Sequence, residues 1–238
     1  MRSILAATTA FTWMPLVAEA KETRFFADAA ISSSLIDRGE QIGPLTLETS
    51  IGVESDLNGV SVYGALYRLT PIGPDGDAFD DEMDYTFGMA WEGDAYTADI
   101  SANWLTYPGE ESDASLELVG SVSLRSALTP TLTGFHDAKF DDWGLEVTAG
   151  PTWEVGPWEV YALGRAGFVE PGDGSPTRSY GGAEAGAARA LTDSVALGFF
   201  VRGEVADEES FASRIDGGAV TKVRSSGVAA GLSLSIAH

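Results

Sequence analysis

The stretch "AYTADISANWLTYPG", which runs from Ala95 to Gly109, alternates between apolar and polar residues. A period of two is typical of a β-strand with one apolar face and one wet face. Alternate positions share one face of a strand, and we call each such set a parity. The apolar parity consists of Tyr96, Ala98, Ile100, Ala102 and Trp104, and the polar parity consists of Thr97, Asp99, Ser101 and Asn103. The pattern leaves the position of the water open, because a soluble β-sandwich has water outside its sheets and a membrane barrel has water in its lumen.

The same alternation recurs along the chain, in segments of about ten residues separated by breaks. Such segments begin at Leu45, Met83, Ser115, Leu145, Trp158, Val195 and Gly227. After the turn at Asn58-Gly59, we expect Tyr63, Ala65, Tyr67 and Leu69 to form the apolar face of a further strand. The segments predict about twelve strands, in keeping with the even strand numbers of bacterial single-chain barrels.

The connections between these segments are alternately short and long. Short connections lie near residues 54–60, 92–95, 126–130, 155–157 and 190–194. Longer and more polar connections lie near residues 37–43, 70–81, 107–114, 137–143, 169–178 and 206–218. Outer-membrane barrels have tight periplasmic turns and long outer loops, whereas the Greek-key links of a sandwich do not alternate in this way.

Aromatic residues gather near the ends of the predicted strands, and the middle positions hold smaller aliphatic residues. We expect the interfacial aromatics to be Trp91, Tyr96, Trp104, Tyr107, Trp153 and Trp158. Two groups of aromatic residues at two levels form the girdles of a membrane barrel, whereas a soluble core would hold them in mid-strand.

These patterns predict an all-β fold, a transmembrane antiparallel β-barrel of about twelve strands arranged as an up-and-down meander over residues 21–238. Its location would be the bacterial outer membrane, with short periplasmic turns and longer outer loops. A soluble β-sandwich remains the alternative fold.

The first twenty residues have the features of a secretory signal peptide, predicted over residues 1–20. Arg2 supplies the positive charge, an apolar stretch follows, and Ala18-Glu19-Ala20 is a small-residue cleavage site. The chain contains no cysteine, which excludes disulfides, thiolate chemistry and lipid attachment at a cysteine. Its net charge of −22 argues against nucleic acid as a partner.

Two stretches resemble the TorF family of outer-membrane porins of Gram-negative bacteria. The segment "SSSLIDRGEQ", residues 32–41, matches the family's first strand-end motif at Ser33, Arg38 and Gly39 and departs from it at Leu35, Asp37 and Gln41. The longer segment, residues 82–109, matches in its acidic-x-Asp start, a glycine, and a Tyr-Pro-Gly end. The resemblance implies an outer-membrane barrel and suggests a pore.

The final segment "GLSLSIAH" alternates like the last strand that the barrel-assembly machinery recognises, although His238 stands where an aromatic residue is expected. Besides this machinery, the expected partners are membrane lipid, lipopolysaccharide, and small solutes or ions.

Little in the sequence points to catalysis. The chain has two histidines, His136 and His238, and Ala138 lies where a nearby serine partner would be expected for His136. We therefore expect no enzyme activity, no catalytic residues and no cofactor. The acidic loop formed by Asp75, Asp77, Asp80 and Asp81 is a weak candidate for calcium, and no other metal site is expected.

Charged residues on the polar parity are the candidate pore lining. They are Glu48, Asp84, Asp99, Glu117, Glu146, Arg125, Arg165 and Arg202. Rings of charge set ion preference in pores, so the carboxylates would attract cations, and Arg165 and Arg202 would oppose them and narrow the passage.

The sequence therefore predicts a porin-like passive channel for small hydrophilic solutes or ions, with a mild cation preference. One alternative is a non-conducting structural or interaction barrel, because opposite charges inside a barrel of this size can pair and plug it. An outer-membrane hydrolase is the second alternative, and it would require a Ser–His pair brought together in space.

Overall fold

The computed structural model describes residues 23–108 and 114–238, so the predicted signal peptide lies outside the described residues. The strands, in chain order, are β1 (Arg24–Ser32), β2 (Leu35–Asp37), β3 (Glu40–Gly43), β4 (Thr46–Asp56), β5 (Val60–Pro71), β6 (Glu82–Glu92), β7 (Tyr96–Thr106), β8 (Ala114–Leu124), β9 (Thr131–Asp137), β10 (Trp143–Ala149), β11 (Thr152–Val155), β12 (Trp158–Glu170), β13 (Arg178–Thr192), β14 (Val195–Ala206), β15 (Phe211–Asp216), β16 (Ala219–Arg224) and β17 (Ser226–Ala237). One 3₁₀ turn spans Gly76–Ala78. Within the described ranges, no helix is long and apolar enough to cross a membrane.

The main sheet closes on itself into a twelve-stranded antiparallel barrel, which confirms the predicted fold. Each barrel strand pairs with its neighbour along the chain, and β1 pairs with β17 to close the seam. β10 and β11 are two parts of one barrel strand, since both pair with β12. Closure pairs every strand on both sides, so no sheet edge is exposed to lipid.

The break between β10 and β11 lies at Gly150-Pro151, where Pro151 has no amide to donate to the ladder. A Cβ on Gly150 would lie 1.8 Å from the carbonyl oxygen of Ala162, so a side chain does not fit there without a shift of the backbone. Glycine at position 150 thus lets β12 pass close to the break and pair with both β10 and β11.

The outside of the barrel is apolar, with alternate residues of each strand exposed. Phe87, for example, is 72% exposed, and its neighbours on the opposite parity face the lumen. Other exposed apolar residues on the outer face include Phe25, Ile51, Ile100, Leu118, Leu132, Val147, Val201 and Leu232. In water such a surface would be costly, whereas in a bilayer these side chains contact lipid.

The strand β5 corrects one expectation, because its Tyr63 and Tyr67 face the lumen and not the lipid. The outward parity carries Val62, Leu66 and Arg68 instead. Both parities of this strand contain apolar residues, so hydrophobic alternation alone does not decide its orientation. The tyrosine hydroxyls decide it, since in the lumen each donates a hydrogen bond to a carboxylate.

The two ends of the barrel differ as the connection lengths predict. Tight turns and both described chain ends lie at one end, where Phe25 and His238 exchange backbone hydrogen bonds of 2.9 Å each. Longer loops lie at the other end, which is the outer side in barrels of this kind. The first and last of the long loops contain the hairpins β2–β3 and β15–β16.

Candidate functional site

The half of the lumen nearest the tight turns is lined mainly by small and polar side chains. Asp28 on β1 accepts a hydrogen bond from Ser50 on β4, and Asp99 on β7 accepts one from Tyr63. All four side chains are only partly buried. We term this half, with its partly exposed carboxylates, the polar vestibule.

Four tyrosines of the barrel wall face the lumen, and each donates a hydrogen bond to a carboxylate. The hydroxyl–carboxylate pairs are Tyr63 with Asp99 at 3.0 Å, Tyr67 with Glu48 at 2.8 Å, Tyr161 with Glu184 at 2.7 Å and Tyr180 with Glu146 at 3.1 Å. The pairs fix the direction of carboxylates that would otherwise be free to change rotamer. The alternation pattern did not identify these tyrosines as lumen residues.

Deeper toward the outer side, charged residues of β10 and β12–β14 form what we term the charge belt: Glu146, Arg165, Glu184, Arg202 and Glu204. The Arg165 guanidinium lies 3.3 Å from Glu204, 3.7 Å from Glu146 and 3.9 Å from Glu184. The Arg202 Nε lies 2.5 Å from Glu184. All of these groups except Glu146, which is partly exposed, are almost fully removed from water, so each of them depends on its partners for stabilisation.

The hairpin β2–β3 of the first long loop, residues 35–43, lies inside the barrel, and we term it the lumen hairpin. Its side chains Leu35, Ile36, Asp37 and Arg38 are 1–5% exposed. The turn at its tip has Arg38 and Gly39 at φ of 47° and 77°, the paired positive values of a type I′ turn. A non-glycine residue in this region is held there by its surroundings.

Arg38, at the tip, reaches the far wall of the lumen. Its Nη1 lies 2.6 Å from Oε2 of Glu117 on β8, and its Nη2 lies 3.4 Å from Oε1. The guanidinium carbon lies 3.6 Å from the ring centre of Phe135 on β9. This fork-on-carboxylate geometry over an aromatic face is one that arginine provides and lysine does not.

The backbone of the lumen hairpin is held by charged side chains of β13 and β14. The Gly39 amide donates to Glu204 at 3.0 Å, Arg202 donates to the Ile36 carbonyl at 3.0 Å, and Arg178 donates to the Arg38 carbonyl at 3.2 Å. The charge belt therefore serves as the seat of the hairpin. These contacts satisfy backbone groups that burial would otherwise leave without partners.

The last long loop covers the lumen hairpin from the outside. Phe211 is fully buried and belongs to one apolar cluster with Ile36, Val169 and Tyr180. The Ser210 carbonyl accepts a hydrogen bond of 3.1 Å from the Gln41 amide, and its hydroxyl donates to the Gly39 carbonyl. In this arrangement side chains and the lumen hairpin fill the outer half of the lumen.

Burial changes the acidity of the lumen hairpin. It raises the pKa of the Asp37 carboxyl from 3.8 to about 7, against the opposing effect of Arg38, with Glu146 and Glu204 adding to the rise. Burial also raises the pKa of Glu40, although Arg178 lies 3.0 Å away and favours its charged form. The hairpin therefore carries titratable groups whose charge depends on whether it is seated.

The two sides of the lumen differ in charge, because one side is acidic and the other pairs its arginines with carboxylates. The strands β6–β10 contain no lysine or arginine. The lumen face of β6–β8 carries what we term the acidic wall: Glu82, Asp84, Asp99 and Glu117. The arginines of the lumen, Arg165, Arg178 and Arg202, lie on β12–β14. Seated in the lumen, Arg38 brings a positive charge to the acidic wall.

Seven of the eight predicted pore-lining residues point into the lumen, and the structure joins several of them in the charge belt and the tyrosine pairs. Arg125 differs, since it follows the end of β8 and lies 3.1 Å from Glu92 at the rim with the tight turns. Whether these residues act on a passing solute remains a prediction.

The predicted interfacial aromatics lie on the outward parity of their strands with one exception. Tyr96, Trp104 and Trp153 are 47–49% exposed. Trp91 and Trp158 share the outward parity, and Trp158 contacts Phe199 edge to face. Tyr107 corrects the prediction, because it is only 5% exposed and continues the lumen-facing parity of Asn103 and Leu105.

Of the residues weighed for catalysis or metal binding, Asp81 and His136 lie toward the outer loops, and His238 lies at the end with the tight turns. Asp81 pairs with Arg68 at 2.7 Å. His136 lies 3.1 Å from Asp141, and both of these side chains are exposed. Among the residues that the structure describes, no group of three or more histidine or acidic side chains is arranged to hold a metal ion.

The fold is similar to solved outer-membrane barrels. The COG4313 outer membrane channel from Pseudomonas putida F1 aligns with a TM-score of 0.56 at 8% identity, over 93% of this chain and 97% of that chain. The NanC porin aligns at 0.52 and 8% identity, over 89% and 98% of the two chains. LpxR from Salmonella typhimurium aligns at 0.52 and 11% identity, over 90% and 99%. No family model and no curated protein sequence matches the chain.

At such low identity the likeness shows the fold alone. That fold is the outer-membrane β-barrel, and the chain is accordingly an outer-membrane protein whose structural neighbours include channels and porins.

Proposed function

We propose that this protein is a porin-like outer-membrane channel for small hydrophilic solutes or ions, and that it is a member of the TorF family. The observation that carries the proposal is the polar vestibule, which continues into a lumen lined by carboxylates, tyrosines and arginines. A barrel that serves only as a scaffold does not require such a lining. The channel and porin among its structural neighbours support the same function.

The proposed channel has a mild preference for cations. Asp28 and Asp99 line the vestibule, and Asp84 lies further along the acidic wall. Arg38 balances the charge of Glu117 on this wall while the lumen hairpin is seated. Fixed carboxylates in a narrow passage raise the local concentration of cations and lower that of anions. Arg165 and Arg202 have a smaller effect because carboxylates of the charge belt neutralise them.

The test is conductance of the purified protein in a planar bilayer under a salt gradient. We expect stepwise currents and a reversal potential of cation-selective sign. Asp28→Asn with Asp99→Asn should move the reversal potential toward zero. The matched control, Asp75→Asn with Asp77→Asn, removes the same charge from an outer loop and should leave it unchanged. An unaltered reversal potential in the lumen variant would refute the assignment of selectivity.

The second candidate is a non-conducting barrel, and the filled outer half of the lumen favours it. A folded, heat-modifiable protein that never conducts, even when the lumen hairpin is removed, would establish this alternative. We propose no enzymatic role. His136 and Asp141 are 47% and 84% exposed, whereas Ser–His catalysis needs a serine and a site that excludes water.

A further inference from the structure

We propose that the lumen hairpin is a gate that leaves its seat as a unit, and that the contact between Arg38 and Glu117 is its lock. The inference rests on the proposed channel function and adds a closed state, an opening movement and a change of selectivity on opening.

The lumen hairpin is structurally separate from the barrel wall. Its two strands pair with each other in a sheet of their own and with no strand of the barrel. Short segments around Ser33 and Pro44 connect it to β1 and β4. The seated hairpin can therefore move outward while every backbone ladder of the barrel stays intact.

The tip of the hairpin makes the contacts that a lock requires. The Arg38 guanidinium, 6% exposed, meets the Glu117 carboxylate, 2% exposed, at 2.6 Å, and lies over the Phe135 ring. A charge pair removed from water is held strongly only while both partners are present. Losing the arginine would leave the Glu117 carboxylate buried without its counter-charge, which is unfavourable. Opening the lumen to water would remove this free-energy penalty, because water would solvate the carboxylate.

A second set of contacts keeps the seated hairpin covered. Phe211 packs on Ile36, and the Ser210 hydroxyl and carbonyl bond Gly39 and Gln41. These contacts come from the last long loop, so two outer loops must separate before the hairpin leaves. A ligand or partner that contacts both loops from outside could shift the equilibrium between seated and released states.

The lock couples opening to selectivity. In the seated state Arg38 places a positive charge against the acidic wall, whose strands contain no basic residue. When the hairpin leaves, Glu117 and Asp84 face water without that charge. The channel should therefore be more selective for cations with the hairpin released than with the hairpin seated.

The experiment uses the absence of native cysteines. A single cysteine in place of Ile36, 1% exposed, reports hairpin release through reaction with a membrane-impermeant maleimide. We compare this reporter in three backgrounds: the parent chain, Arg38→Ala, and Arg68→Ala. The last is the matched control, because Arg68 forms a pair of similar length, 2.7 Å, with Asp81 on the outside.

We expect Arg38→Ala to raise the labelling rate of Ile36→Cys by roughly tenfold or more. This is the change expected when the equilibrium constant for seating the hairpin falls about tenfold. Arg68→Ala should leave the rate unchanged. Equal labelling in the Arg38→Ala and parent backgrounds would overturn the gate. Labelling in Arg38→Ala without conductance would support the moving hairpin and refute the channel. Conductance without labelling would support the channel and refute the gate.

The heat-modified gel shift separates gating from unfolding, because a folded barrel keeps this shift whether the lumen hairpin is seated or released. Arg38→Ala should keep the gel shift of the parent. Loss of the shift would mean that this variant has lost its fold, and Glu117→Gln, which keeps the shape of the side chain, would then decide. The gate is overturned if Glu117→Gln leaves Ile36→Cys unreactive.

Discussion

At the scale of single residues, Arg165 is the centre of the charge belt. It lies within 3.3–3.9 Å of three glutamates, and replacing it by methionine would leave those carboxylates buried without their shared cation. We expect Arg165→Met to destabilise the barrel by about 3–5 kcal/mol. Urea unfolding in lipid vesicles measures the change.

The control for this prediction is Arg24→Met, which breaks a partly exposed pair with Glu54. Exposed ion pairs contribute little, so this variant should lie within about 1 kcal/mol of the parent. Similar losses of stability in the two variants would show that burial does not determine how much the Arg165 contacts contribute to the free energy of unfolding.

A second residue-scale prediction concerns Gly150. Alanine there would place its Cβ 1.8 Å from a backbone oxygen of β12, so the strand must shift, and we expect a loss of about 1–3 kcal/mol. Gly64→Ala is the control, because the nearest atoms to its Cβ lie at an ordinary 3.6–3.7 Å. The same unfolding assay compares them, and equal stabilities would contradict the steric argument.

Single residues are also where the sequence is least informative. The alternation pattern predicts Tyr63 and Tyr67 on the lipid face, although β5 has apolar residues on both faces. The sequence also predicts Tyr107 in the girdle, because it is aromatic and near a strand end. Their orientation depends on which partners the barrel brings to them, and these partners come from other strands, as Asp99 and Glu48 show.

At the scale of elements, the lumen hairpin should respond to pH through Asp37. Groups that act on this carboxyl are Arg38, Glu146, Arg165, Tyr180, Arg202 and Glu204. The seated hairpin holds a proton with a pKa of about 7, whereas released Asp37 returns toward 3.8. Between these values the released state has lost a proton that the seated state keeps, so seating weakens as pH rises toward 7 and changes little above it.

We therefore expect labelling of Ile36→Cys, and the open fraction of the channel, to rise between about pH 5 and 7. The maleimide rates are corrected with a cysteine at the exposed loop residue Ser175, because thiol reactivity itself depends on pH. Asp37→Asn should flatten the corrected profile. A corrected profile as steep in Asp37→Asn as in the parent would show that another group carries the dependence.

The elements themselves follow closely from the sequence, because alternation, turn residues and connection lengths are local properties. The lumen hairpin is the exception. Residues 37–43 have the composition of an outer loop, and their turn, Arg38-Gly39, is not one of the common hairpin pairs. The hairpin is buried through contacts with Glu117, Arg178 and Glu204, which lie far from it in the chain.

At the scale of the whole molecule, the first and last strands of the described barrel end side by side at the end with the tight turns, where Phe25 bonds His238. A circular permutant that joins residues 23 and 238 through a short linker and opens at the exposed turn of Leu57–Gly59 should fold in detergent. Its circular dichroism and its heat-modified gel shift should match those of the parent. Loss of both signals would show that the native order of strands is required.

The seam between β1 and β17 has a kinetic consequence. The pairings within the barrel are formed between strands that follow one another in the chain, apart from three. These are β1–β4 across the first long loop, β14–β17 across the last long loop, and the seam itself, which joins Phe26 to Ala237. Local hairpins form quickly, whereas bringing together residues so far apart carries a large entropic cost. Until the seam closes, two unpaired strand edges remain open to other chains. We therefore expect closure to be the slow and aggregation-sensitive step of this protein's assembly, and a chaperone that covers either edge to raise its yield.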